Sequence, residues 1–363
     1  MSADTTTMAI TGPTTVPTTG PTTGPAATPA ATRRSLTEPR LNLRPPEYPE
    51  LLAYRDAIRH SYWLHTEFNL TDDVHDYRVG VSDAERNAIK NTMLAIAQVE
   101  VAVKTFWGDI FKTYPKPEVG AVGYTFAESE VRHQDAYAHL LELLGLNGEF
   151  ERLDQFPAFK QRVLFLNSHL KPLPAGELEP EQVGREAALR LLLFSAFIEH
   201  VSLFGQFLIM KGFNRHRNLF KGIANIVEAT SKEEQIHGMF GYQLVNILRE
   251  ERPVWFDAAF GERVRYACRA SYEAERGVLD WIFEAGELDF LPRPVMDAYL
   301  QQRFNQSLEA VGVAPVFTPD EALVAETRWF EEEVLAGKHY DFFHKRPTNY
   351  TKKTKPITSD DLF

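Results

Sequence analysis

The sequence has one cysteine, Cys268, in 363 residues. A disulfide within the chain is therefore impossible, and the reducing cytoplasm is the compartment we expect. Basic residues are also few, with 39 Lys and Arg against 50 Asp and Glu and a formal net charge of −11. Because a nucleic-acid-binding protein should carry a basic face, we predict no nucleic-acid partner.

Nucleotide-binding loops are missing as well, since neither G-x-x-x-x-G-K-[ST] nor G-x-G-x-x-G occurs. Alternating β patterns are scarce, whereas helical periodicity continues almost unbroken after residue 40. Several periodic runs are long, which predicts an all-α fold, a bundle of long helices with its site in the core. The runs cover about 82–115, 117–145, 151–167, 181–211, 215–251, 255–285, 292–311 and 319–336.

Both ends of the chain differ from this pattern. Residues 1–40 are rich in Thr, Pro and Ala, which predicts a disordered segment, and they lack the apolar core of a secretion signal. Residues 341–363 are polar and end on two apolar side chains, which predicts a flexible tail. A helical domain is left between them, at residues 41–340.

One apolar run, residues 188–210, is long enough to cross a bilayer. Arg190, Glu199, His200 and Gln206 interrupt it, and charges in the middle of a span are costly. We therefore predict no membrane span but a helix buried at the centre of the bundle. Glu199 then lies inside an apolar helix and needs a partner.

Two glutamates lie singly on apolar helix faces. The helical neighbours of Glu100 at i±3, i−4 and i±7 are the apolar residues Met93, Ile96, Ala97, Val103 and Trp107, with Lys104 at i+4. Glu199 is flanked by Ala196 and Leu203. An ionised carboxylate in such a place costs several kcal/mol unless it is paired or bound to a metal. These neighbours also oppose the simpler interpretation of the glutamates as members of surface ion pairs.

Two more helices each carry an E-x-x-H spacing, Glu130 with His133 and Glu234 with His237. Residues three apart share a helix face, so each pair can aim at one ion. One such pair is weak evidence, but two pairs interleaved with two lone glutamates match the ligand order of dimetal-carboxylate bundles. Four carboxylates and two imidazoles suit iron or manganese. A similar stretch, "DDVH" at residues 72–75, lies in a polar connection and has no such partner set.

With these residues, the chain resembles the small, radical-generating subunit of class I ribonucleotide reductase. The segment "YWLHTEFNLTDD" is similar to a family segment that places Trp63 at the electron-transfer tryptophan. Tyr137 falls on the radical-tyrosine position. Tyr350 and the terminal "DDLF" resemble the tail tyrosine and the peptide that docks on the large subunit.

The resemblance implies a ferritin-like bundle whose metal pair reacts with oxygen or superoxide and stores a one-electron oxidant. Trp63 and Tyr350 would pass this oxidant to a cysteine of the large (catalytic) subunit, where ribonucleotides are reduced to deoxyribonucleotides. The family also implies a homodimer that binds the large subunit through the C-terminal tail.

Four residues depart from the common di-iron members of that family. Glu100 and Glu233 stand where those proteins have Asp. In those proteins, the Asp at the position of Glu233 forms hydrogen bonds with the ligand His and with the Trp. His200 stands where Gly is usual, and Lys104 lies one turn after Glu100, where its ammonium can donate to a ligand carboxylate. Glu100 with Lys104 resembles the dimanganese subclass, class Id. We therefore expect two manganese ions, with Tyr137 beside them and not the radical carrier; manganese–iron and di-iron pairs are the alternatives.

Three other functions remain open on the sequence. A self-contained, ligand-binding dimetal oxidase would have the same ligands but no need of a docking tail. An iron store of the ferritin type would form a very large assembly. A structural helical protein would bind no metal.

Overall fold

The computed structural model describes residues 34–170 and 179–335, and within them the chain is helical with no β-strand. The all-α prediction is confirmed. The α-helices are α1 (Leu52–His60), α2 (Thr71–His75), α3 (Asp83–Val99), α4 (Val103–Thr113), α5 (Pro117–Leu144), α6 (Asn147–Phe150), α7 (Pro157–Leu170), α8 (Pro180–Leu193), α9 (Phe204–Arg217), α10 (Lys221–Glu251), α11 (Ala258–Ile282), α12 (Arg293–Ala310), α13 (Glu321–Ala325) and α14 (Arg328–Phe330). Short 3-10 helices occupy Pro49–Leu51, His65–Glu67, Leu153–Gln155 and Pro253–Trp255, and π-helical segments occupy Asp76–Gly80, Phe194–Ser202 and Glu331–Leu335.

The longest helices form the centre of the bundle. α5 packs along α4 and α1, while α10 packs along α9 and along the π-helical segment Phe194–Ser202, here called the central π segment. α11 packs against α7 and α3, and α12 also packs against the central π segment. The buried apolar side chains form one continuous core among these helices.

Two helix ends follow from local signals in the sequence. The letters S-D-A-E at residues 82–85 match the sequence pattern of a capping box, and the structure forms it. Ser82 Oγ accepts from the Glu85 amide at 3.3 Å, and Glu85 Oε2 accepts from the Ser82 amide at 2.9 Å. Gly145 ends α5 with φ of 73°, a left-handed conformation that a residue without a Cβ adopts readily. Both predicted boundaries are confirmed.

The run predicted at 82–115 is not one helix. α3 ends at Val99, a turn covers residues 100–102, and α4 begins at Val103. Lys104 Nζ donates to the carbonyls of Glu100 (3.2 Å) and Val101 (2.9 Å), which have lost their intrahelical partners. Apolar periodicity continues through the turn, so the pattern alone does not reveal it.

The predicted break between residues 211 and 215 lies further along the chain. Asn218 and Phe220, both at left-handed φ, separate α9 from α10. Asp73 accepts from the amides of Gly222 (3.1 Å) and Ile223 (2.7 Å) at the start of α10. The "DDVH" stretch is therefore a helix whose buried carboxylate caps another helix, not a polar connection.

The apolar stretch Pro180–Arg217 is long enough for a membrane span by length and composition, yet its most apolar window is 100% buried inside the bundle. This agrees with the prediction of a central buried helix. The central π segment interrupts it, with Glu199 inside that segment.

The described residues from Ser35 onward, 35–170 and 179–335, belong to one compact unit. Leu36 is completely buried and its amide donates to Glu251 Oε2 at 2.8 Å, so the boundary lies about five residues before the one predicted at 40. Arg40 attaches the same segment through its ion pair with Glu118, and composition does not resolve so short a piece. The rest of the predicted N-terminal segment and the predicted tail with Tyr350 lie outside the described residues.

Substitution of Gly123 by alanine tests the close contact of α5 with α4. A Cβ at this position would lie 2.3 Å from Ile110 Cγ2 and 2.5 Å from the Trp107 carbonyl oxygen, so we expect Gly123→Ala to lower the free energy of unfolding by about 1–3 kcal/mol. Gly261→Ala in α11 is the control, because no atom lies within 4 Å of its Cβ position and alanine favours helix. Urea unfolding followed by circular dichroism measures both, and equal stabilities would contradict the packing described.

Candidate metal centre

Six buried side chains from the end of α3, α5, the central π segment and α10 converge on one place in the core. Their ligating atoms form two overlapping groups, and within each group all of them lie within 4.8 Å of one another. The groups are Glu100, Glu130, His133, Glu234 and Glu130, Glu199, Glu234, His237. All six residues that the sequence indicates as metal ligands are thus brought together.

Glu130 and Glu234 belong to both groups, and each directs one carboxylate oxygen toward His133 and the other toward His237. Glu130 Oε2 lies 3.3 Å from His133 Nδ1, and its Oε1 lies 3.0 Å from His237 Nδ1. Glu234 Oε1 lies 3.0 Å from His133 Nδ1, and its Oε2 lies 3.5 Å from His237 Nδ1. Carboxylates in this arrangement can bridge two cations.

Glu100 and Glu199 each belong to one group. Glu100 Oε2 lies 3.9 Å from His133 Nδ1, and Glu199 Oε2 lies 3.6 Å from His237 Nδ1. The arrangement therefore offers each of two ions one imidazole, one terminal glutamate and a share of two bridging glutamates.

Hydrogen bonds from outside the cluster orient both imidazoles. His133 Nε2 meets Glu233 Oε2 at 2.7 Å, and His237 Nε2 meets Ser129 Oγ at 3.0 Å. Each ring is thereby held with Nδ1 toward the cluster, as is usual for metal-binding histidines. Glu233 and Ser129 thus bond with Nε2, the ring nitrogen opposite to the Nδ1 that is offered as a ligand.

Glu233 lies where the family resemblance places it with respect to His133, but its second partner differs. Arg132 donates to both of its oxygens at 3.2 Å. The indole of Trp63 is stacked on His133 with centroids 5.8 Å apart and planes at 15°, and its Nε1 has no hydrogen-bond partner among the described residues. The hydrogen bond from the tryptophan to the acid is therefore absent in this conformation.

Lys104 lies beside the cluster. Among the described residues, its ammonium forms no hydrogen bond or ion pair with a carboxylate of the cluster. Its ammonium donates to Gln134 Oε1 and to the two carbonyls at the end of α3. Tyr137 is buried next to the cluster, and burial raises the pKa of its phenol far above the ordinary value, with the Glu100 carboxylate adding to the effect.

Three hydrogen-bonding side chains at the centre were not identified from the sequence. Trp107 Nε1 donates to Glu199 Oε1 at 2.8 Å, and Ser129 Oγ bonds His237 Nε2. Arg132 donates to Glu233, which in turn bonds His133. Trp107 counted only as an apolar neighbour of Glu100. A buried indole N–H needs a hydrogen-bond acceptor, and this requirement could have pointed to a bond between Trp107 and one of the buried glutamates.

The electrostatics of the cluster require positive charge. Burial raises the pKa of Glu100 and of Glu199 well above the usual range, and neighbouring carboxylates add to the shift. Burial lowers the pKa of His133 and His237, but the surrounding glutamates outweigh it and raise both. Without cations, the cluster therefore holds protons.

The orphaned polar atoms fit a cation pair. Both oxygens of Glu100 and of Glu130, and Nδ1 of each histidine, are buried with no hydrogen-bond partner among the described residues. Four carboxylates balance two divalent cations in charge. Carboxylate and imidazole ligands with no thiolate suit iron and manganese, so the residues present fit a dimetal centre.

The sequence and the fold are similar to those of known proteins. A family model described as "Ribonucleotide reductase, small chain" matches residues 40–323. A protein of Invertebrate iridescent virus 3 named "Probable ribonucleoside-diphosphate reductase small subunit 048L" is 28% identical over 330 residues, covering 88% of this chain and 86% of its own.

Solved structures show the same fold at low identity. A ribonucleotide reductase R2 subunit from Clostridium botulinum has a TM-score of 0.69 at 15% identity and covers 79% of this chain and 88% of its own. Dimanganese(II)-NrdF from Streptococcus sanguinis has a TM-score of 0.65 at 15% identity, covering 80% and 99%.

Metal titration tests the site. We expect about two divalent cations per chain, and because the raised pKa values of Glu100 and Glu199 let protons compete, the affinity should fall as pH falls and binding should release protons. Calorimetry with Mn²⁺ at pH 7.5 and 6, in two buffers of different ionisation enthalpy, measures both effects.

The matched control for this titration is Glu262→Gln, an exposed glutamate on α11 whose loss should change neither stoichiometry nor proton release. Glu130→Gln, by contrast, removes a carboxylate charge common to both ligand groups. Binding of two ions by Glu130→Gln with unchanged affinity would contradict the bridging role.

Proposed function

Because this chain belongs to the family of ribonucleotide reductase small chains, we propose that it is the small subunit of a ribonucleoside-diphosphate reductase. The observation that carries the proposal is the pair of glutamates, Glu130 and Glu234, each turned toward both imidazoles. The subunit would generate a one-electron oxidant for a large subunit that reduces ribonucleotides to deoxyribonucleotides.

The six clustered side chains would hold two transition-metal ions, which when bound supply one-electron redox chemistry. His133 and His237 would each bind through Nδ1, since Nε2 of each is already bonded to a neighbour. Burial of the whole cluster excludes bulk water, which protects a stored oxidant from side reactions.

Trp63 supports a route for the oxidant out of the core. Its ring lies parallel to that of His133 and is 5% exposed, whereas the adjacent Tyr62 is 54% exposed. An indole can lose and regain an electron without breaking a bond. We infer that the oxidant leaves through His133 and Trp63 toward this surface, and that Tyr350 in the tail is the next carrier.

The metal identity that we propose is manganese in both positions. The support is the combination of Glu100 with Lys104, which resembles the class Id subunits, together with a tyrosine that lies beside the cluster. Manganese–iron and di-iron centres are the competing loadings. In this proposal Lys104 acts through the turn that carries Glu100, since its hydrogen bonds hold that turn.

Assembly follows from the same family membership. We infer a homodimer that binds the large subunit through residues 341–363, in the cytoplasm. A self-contained dimetal oxidase, the second candidate, needs no such tail.

Electron paramagnetic resonance of the oxidised protein tests where the oxidant resides. If it resides on the metals, Tyr137→Phe should keep a multiline manganese signal with an intensity within about twofold of the parent. Tyr114→Phe is the control, because Tyr114 is another completely buried tyrosine and lies at the end of α4. A sharp tyrosyl signal that disappears in Tyr137→Phe alone would overturn the metal-centred proposal.

Removal of residues 341–363 tests the partner. We expect at least a tenfold loss of reductase activity with the large subunit, while the metal content stays at two per chain. Tyr350→Phe in the full chain separates docking from electron transfer, since it should keep large-subunit affinity and lose turnover. Full activity after truncation would instead favour the self-contained oxidase.

A further inference from the structure

The central π segment presents Glu199 in a helical register that is rarely used. A π-helix closes i to i+5 hydrogen bonds and is found mostly as short stretches at functional sites. A shift of one residue in helical register turns a side chain by about 100°, which would point Glu199 away from His237. Contacts from outside the segment must therefore hold the register.

Helix α12 holds His200, the residue after Glu199. Arg303 Nε and Nη2 donate to the His200 carbonyl at 3.1 and 2.6 Å, and Arg303 is 1% exposed. One turn further along α12, Ser307 Oγ meets His200 Nδ1 at 2.9 Å. The backbone and the ring of the same residue are thus bonded to one face of a neighbouring helix.

A second buried arginine holds the end of the segment. Arg162 Nη2 donates to the Ser202 carbonyl at 2.6 Å, and its Nη1 donates to the Ala95 carbonyl of α3 at 3.0 Å. Its Nε lies 3.2 Å from Glu275 Oε1. A guanidinium is costly to bury, so its use on these carbonyls indicates a demanding structural requirement at this place.

A third contact acts on the ligand itself. Trp107 Nε1 donates to Glu199 Oε1 at 2.8 Å, which leaves Oε2 as the oxygen that faces His237. The indole therefore sets the rotation of the carboxylate, while the arginines set the backbone that carries it.

We propose that Arg303, Ser307, Arg162 and Trp107 form a register clamp, a set of positioning residues that locks the central π segment so that Glu199 reaches the second ligand group. The clamp explains why a histidine at position 200 suits this chain, since its ring supplies an anchoring point. The proposal deepens the dimetal function and rests on it for the metal measurement, but not for the conformational measurement.

Arg303→Met in the full-length protein tests the clamp with two readouts. In metal-free protein, the amides of residues 199–203 should exchange with deuterium at least tenfold faster than in the parent, while those of α11 keep their rates. In Mn²⁺ titrations, one of the two ions should bind at least tenfold more weakly and the other within twofold of the parent.

Arg293→Met is the matched control. Arg293 lies on the same helix, and its guanidinium pairs with Asp280 and Asp297 instead. Both readouts should match the parent. A folded Arg303→Met variant with exchange within twofold of the parent and two unaltered ions would overturn the proposal.

The two measurements distinguish a failure of the dimetal function from a failure of the clamp. If the parent protein binds no metal pair, the dimetal function fails, and the exchange rates still decide for or against the clamp. If Arg303→Met does not fold, Ser307→Ala removes one hydroxyl and should speed exchange at residues 199–203 about threefold; parent-like rates in that variant would overturn the clamp.

Discussion

Four carboxylates buried around one point are the constraint to which the rest of this bundle responds. Each would cost several kcal/mol as an isolated ionised group, and their mutual repulsion adds to that cost. Only positive charge offsets it, whether from protons, which the raised pKa values of Glu100 and Glu199 indicate, or from two divalent cations. The core is therefore complete only with cations, and its helices bring the carboxylate oxygens and imidazole nitrogens close enough together to bind them.

The backbone treats paired and lone ligands differently. Both E-x-x-H pairs lie on uninterrupted α-helix, in α5 and α10, where a spacing of three places two side chains on the same face. Glu100 lies in a turn at the end of α3, and Glu199 lies in the central π segment. A single ligand has no second ligand on its helix with which to align, so the backbone can depart from the α-helix there. Neighbouring side chains must then bond the backbone carbonyls that lose their partners within the helix. Lys104 does so at the first place, and Arg162 and Arg303 at the second.

The ligands could be predicted from the sequence, and the side chains that orient them could not. Glu100 and Glu199 stand out against apolar neighbours within one or two turns, which is local information. Trp107, Ser129 and Arg132 bond to residues 92 to 108 positions away, and nothing in their own surroundings marks the partner. The turn at residues 100–102 was missed for a related reason, since the apolar period runs through it unchanged.

The sequence by itself determined the helical class, the capping of α3, the end of α5 and the identity of the six clustering residues, because each depends on spacings of three to seven positions. Only the tertiary structure decided which glutamates face both histidines, that Glu233 bonds Arg132 and not Trp63, and that a π register carries Glu199. Those features arise where separate helices meet, and the energy of a buried charge or donor depends on every group that surrounds it.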